Sequence, residues 1–115
     1  MAMRFWKAVL WVAAAFNLLV AVPSFFVPGA AVNDRIVALL VGCFGLVYAM
    51  VARAPERLGQ VLWAGVLGKI GVVALIWPEV QAGRALPGTG WILLGDMVFT
   101  ALFVVFLLRR RAAAG

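Results

Sequence analysis

Apolar positions in this chain gather into four blocks, residues 5–27, 36–52, 59–77 and 91–108. Each approaches the roughly 20 residues that a spanning helix needs at about 1.5 Å per residue, the 36–52 block being the shortest. Polar or turn-forming stretches at 28–35, 53–58 and 78–90 separate them. The first two are short, so consecutive helices are expected to pack as neighbours of opposite direction. The pattern predicts an all-α polytopic membrane protein: one domain, residues 1–115, with four transmembrane helices in an antiparallel bundle. Pro23 lacks a backbone N–H, so the first helix is expected to weaken there and leave 24–29 as an interfacial segment. Pro87-Gly88 marks a turn, and Thr89 is placed to N-cap the last helix.

Composition agrees with the blocks, since two-thirds of the residues are apolar and 12% are charged, a balance foreign to soluble domains. The net charge of +6 does not indicate nucleic acid, because the cations are scattered over chain ends and loops. Their distribution reports topology instead. Arg4, Lys7, Arg53, Arg57, Arg109, Arg110 and Arg111 fall on one side, and Arg35 and Arg84 on the other. By the positive-inside rule both termini of this multi-pass protein are expected to be cytoplasmic. So strong a bias argues against dual insertion, and any homo-oligomer would be parallel. Tryptophans suit these boundaries, with Trp6, Trp11 and Trp63 toward the cytoplasmic interface and Trp77 and Trp91 toward the outer one. The Arg4 and Lys7 flank of the first block could also belong to a signal peptide, but its removal would leave an odd number of spans.

No cofactor or metal site is expected. There is no histidine, and Cys43 is the only cysteine; a small core hydrophobe is its expected role. Catalysis is weakly supported, because no serine stands beside a base.

Charges inside the blocks carry the strongest functional signal. Lys69 lies at the centre of the third block and Asp96 within the fourth, the only acid inside any of them. A charge at mid-bilayer costs at least roughly 2.5–3.5 kcal/mol, so it calls for a partner, a cavity or a substrate. Lys69 is about 12 Å and Asp96 about 7.5 Å from the outer ends of their blocks at 1.5 Å per residue, a difference that a lysine side chain spans. Thr100 shares a helix face with Asp96. Asn17 lies at similar depth in the first block. A weak repeat relates Val9-Leu10-Trp11 and Asn17 to Val61-Leu62-Trp63 and Lys69, at an offset of 52 residues, and would make Asn17 the equivalent of Lys69.

Small residues recur at Ala38, Gly42, Gly45, Ala49 and Ala52 in the second block, and at Gly65 and Gly68, with Gly71 nearby, in the third. Steps of three and four put them on stripes where helix backbones can approach closely. Packing within the bundle is the expected use, and a seam between protomers the competitor.

The set Phe16-Asn17, Gly42-x-x-Gly45-x-x-Tyr48, Gly68-Lys69-x-Gly71 and Gly95-Asp96-x-x-Phe99 resembles the small four-helix bacterial inner-membrane proteins of the DoxX-like type. That resemblance implies the four-helix architecture and no particular activity. Small multidrug exporters are similar in length, but their first-helix glutamate has no counterpart here.

Two functions remain open at this point. Lys69, Asp96, Asn17 and Thr100 could bind or pass a small polar or lipidic ligand. Alternatively, the Lys/Asp pair is structural and the protein is a non-catalytic accessory or assembly subunit, with the bilayer and a membrane partner as its contacts. A proton-coupled role for Asp96 is a third use of the same cluster.

Overall fold

The computed structural model describes residues 2–114, with side chains described for 3–110; the Arg111 side chain of the charge count lies outside them. Helices α1 (Ala2–Phe25), α2 (Val32–Arg53), α3 (Pro55–Leu58), α4 (Leu62–Gln81) and α5 (Thr89–Ala114) follow in order, with a 3₁₀ turn at Gly59–Val61. No strand occurs among the described residues. Four helical stretches are long and apolar enough to cross a membrane, Met3–Phe25, Val32–Arg53, Pro55–Gln81 and Thr89–Arg110. The chain forms two compact units that divide after Gly59.

In the first unit, α1 packs on α2. Trp6, Leu10, Ala13, Ala14, Asn17 and Ala21 are buried on α1, at the three-and-four spacing that makes one helix face. The facing side of α2 buries Ala38, Gly45, Tyr48, Val51 and Ala52. Contact is closest at Gly45, where an added Cβ would lie 3.1 Å from both Asn17 Cβ and Leu18 Cγ and 3.2 Å from the Ala14 carbonyl oxygen. A Cβ on Gly42 would meet Ala21 Cβ at 3.4 Å, an ordinary contact. Partner numbers thus fall along α1 as they rise along α2.

In the second unit, α4 packs on α5. Leu62, Gly65, Val66 and Lys69 are buried on α4. On α5 the buried set is Leu93, Asp96, Thr100, Phe103, Phe106 and Leu107. Beyond Lys69, every α4 side chain is exposed or half-buried.

Several helix ends run past the apolar blocks, although α1 stops at Phe25, short of residue 27. Helix α2 begins at Val32 rather than Ile36, with Asp34 in its first turn, where an acid complements the helix dipole. Pro23 does not stop α1, which continues to Phe25. Ser24 Oγ donates to the Val20 carbonyl at 2.7 Å, occupying an acceptor in the turn that the proline loosens. Pro78 is likewise inside α4. That helix ends in a Schellman motif at Gly83, whose φ is +76°. The Gly83 N–H donates to Val80 O and the Arg84 N–H to Glu79 O, the paired bonds that define this stop. Thr89 does not N-cap α5: its hydroxyl donates back to Leu86 O at 2.7 Å. Gly88 takes the cap position, its carbonyl accepting from the Ile92 N–H at 3.3 Å.

Two further expectations are corrected. Trp6 is buried at 5% exposure, whereas Trp11, Trp63, Trp77 and Trp91 are exposed, so Trp6 is a packing residue. Cys43 is exposed rather than a core residue; the small residues of α2 that face α1 leave it on another side of the helix.

Candidate functional site

Lys69 Nζ donates to Asp96 Oδ1 at 2.7 Å, joining α4 to α5. The two side chains retain 6% and 12% exposure. Apolar helices bring them together because Lys69 continues the Leu62, Gly65, Val66 face of α4. Asp96 continues the Leu93 face of α5. Phe99, one turn along α5, lies with its ring centroid 5.8 Å from Lys69 Nζ, a cation–π distance that adds a second favourable environment for the ammonium. In the sequence, Phe99 stands out only through the DoxX-like resemblance. Its position three residues after Asp96 puts it on the same face, a signal that could have found it.

Thr100 is buried, but its hydroxyl donates to the backbone carbonyl of Asp96 at 2.7 Å rather than to the carboxylate. Asn17 is in the other unit. Its Nδ2 donates to the Val41 carbonyl at 3.0 Å, so the amide bridges α1 and α2.

The seam residues divide by unit. On α2, Ala38, Gly45 and Ala52 are buried, and Gly42 and Ala49 half-buried. Ala14 and Ala21, which oppose Gly45 and Gly42, were hidden in the sequence among other alanines. On α4, Gly65 is buried while Gly68 is exposed. Neither Gly68 nor Gly71 has anything within 4 Å of an added Cβ.

At the end of α4 a second ion pair is open to its surroundings. Arg84 binds Glu79 through Nε at 3.0 Å and Nη2 at 2.8 Å. The carboxylate hydrogen bond holds the Arg84 pKa above its ordinary value. Among the described residues no cluster of His, Cys, Asp or Glu could hold a metal ion.

Four spanning-length helices with a charge pair buried between two of them define a membrane protein. No family model, curated protein or solved structure matches the chain.

What the site can do follows from its atoms. A buried ion pair loses much of its Coulomb gain to desolvation, yet removal of one partner typically costs about 3–5 kcal/mol in soluble proteins. Direct contact at 2.7 Å therefore holds the two helices in register. It also leaves the ammonium less available to a ligand.

Proposed function

We propose that the protein is a non-catalytic accessory or assembly subunit of the bacterial inner membrane, in which Lys69–Asp96 locks α4 to α5. The direct 2.7 Å contact between two largely buried side chains carries this reading. Gly68 and Gly71 support it, because their bare backbone leaves room for close approach by another helix. The one-sided cations imply cytoplasmic termini and a parallel arrangement of any homo-oligomer. The resemblance to DoxX-like proteins fits a four-helix antiparallel bundle and adds no activity.

Topology is tested by labelling single introduced cysteines with an impermeant maleimide in a Cys43→Ser background. Positions near Lys7 and Arg57 are expected to react only after the membrane is opened, and positions near Gly83 in intact spheroplasts. The reverse pattern would contradict the orientation.

A second reading has its own observation: the Asp96 side chain keeps twice the exposure of Lys69, 12% against 6%. That opening suits a small polar or lipidic ligand, or a proton, reaching the carboxylate. Lys69→Leu/Asp96→Leu separates the two. The subunit reading predicts that this variant migrates with the same assemblies in mild detergent as the unaltered protein. A folded variant that loses a co-purifying small molecule would move the assignment to ligand binding.

A further inference from the structure

One end of the first unit gathers cations. Arg4 and Lys7 lie one turn apart near the start of α1, Arg53 is in the last turn of α2, and Arg57 is in α3. Helix α3 packs against both α1 and α2. Gly45 is level with the stretch of α1 from Ala14 to Leu18. Eight residues farther along α2, Arg53 is therefore about level with residue 8 of α1, at the same rise per residue on both helices. All four cations are exposed. Among the described residues none of them forms an ion pair. Glu56 is the one acid on this end.

The surroundings decide what such a patch can bind. Met3, Phe5, Trp11 and Met50 are exposed apolar side chains within about one helical turn of Arg4, Lys7 or Arg53 along the chain, and an open hollow of about 650 Å³ is lined by Met3, Arg4, Phe5 and Ala8. Cations interleaved with exposed apolar groups at the end of spanning-length helices belong at the depth where headgroups meet acyl chains. A nucleic acid would meet an apolar rim that it cannot use. Guanidinium groups match phosphate oxygens in a two-pronged geometry that an ammonium does not.

We propose that this end of the first unit is a docking site for anionic phospholipid, with Arg4, Lys7, Arg53 and Arg57 on the headgroup phosphate and the Met3, Phe5 and Ala8 hollow against its acyl chains. The site shares no residue with the Lys69–Asp96 pair, and it stands or falls apart from that pair's role.

The test uses the full chain in a neutral detergent, where insertion direction plays no part, titrated with phosphatidylglycerol or phosphatidylcholine and read by native mass spectrometry. Phosphatidylglycerol is expected to be retained at least about tenfold more tightly, since each cation near a lipid surface contributes about a fivefold factor. Arg4→Gln/Lys7→Gln/Arg53→Gln/Arg57→Gln should bring the preference close to unity. Arg35→Gln/Arg84→Gln should leave it unchanged. Arg57→Gln alone, a smaller change for the fold, should weaken retention about two- to fivefold. Equal retention of the two lipids by the unaltered protein would overturn the proposal. So would an undiminished preference in the Arg57→Gln and fourfold variants, or tighter binding of a short oligonucleotide than of phosphatidylglycerol.

Discussion

Helices α1 and α2 are held by closeness, whereas α4 and α5 are held by charge. In the first pair Gly45 lets the backbones approach until an added Cβ would lie 3.1 Å from Asn17, and one neutral amide bridges to a carbonyl. In the second, an ammonium and a carboxylate meet at 2.7 Å while Gly68 and Gly71 stand open. Lipid gives little hydrophobic drive between helices, so a pair needs either dense van der Waals contact or polar groups that satisfy one another. The two units use different solutions. They should consequently fail differently.

The largest effect is expected at the ion pair. Lys69→Leu or Asp96→Leu alone leaves one charge buried without its partner, at a cost of about 3–5 kcal/mol. Unfolding by denaturing detergent, followed by helical circular dichroism, measures it. Gly45→Leu comes next, because the side chain must displace Asn17, Leu18 or the Ala14 carbonyl. A loss of about 1–3 kcal/mol is expected from overpacking of that kind. Gly68→Ala is the contrasting change: with nothing within 4 Å, it should be neutral or stabilise by up to about 1 kcal/mol through helix propensity. If Gly68→Ala cost as much as Gly45→Leu, the contrast between the units would disappear. Asn17→Ala should cost less than Gly45→Leu, about 0.6 kcal/mol, the average for a hydrogen bond between membrane helices.

The helices and the charged pair were legible because both rest on strong, local signals. Four apolar blocks fix where hydrocarbon can surround a helix, and a lysine or aspartate inside a block is conspicuous. Helix ends were less legible, since hydropathy marks the apolar part of a helix and not its hydrogen bonds. Val32 to Arg35 are helical although polar residues interrupt them. Pro23 and Pro78 lie near the C-terminal ends of α1 and α4, so each forfeits the bond of its own missing N–H while little helix follows it. Directions of polar side chains were not legible either. Depth and a weak repeat grouped Asn17 with Lys69, and a shared helix face grouped Thr100 with Asp96, but short polar side chains also find carbonyls close at hand: Val41 for Asn17 and Asp96 for Thr100. Trp6 and Cys43 show the same limit from the apolar side. Residue type suggested an interface for one and a core for the other, and the face of the helix decided otherwise.

The central claim is that Lys69 and Asp96 serve each other. A double-mutant cycle in a bilayer or bicelle tests it most directly, comparing Lys69→Leu, Asp96→Leu and the two together by unfolding free energy. The account predicts that the double variant lies within about 1–2 kcal/mol of the unaltered protein, although each single change costs about 3–5 kcal/mol, because a matched apolar pair removes the desolvation penalty along with the attraction. Single costs that simply add in the double variant would contradict it, and would mean that each charge answers to something other than its partner.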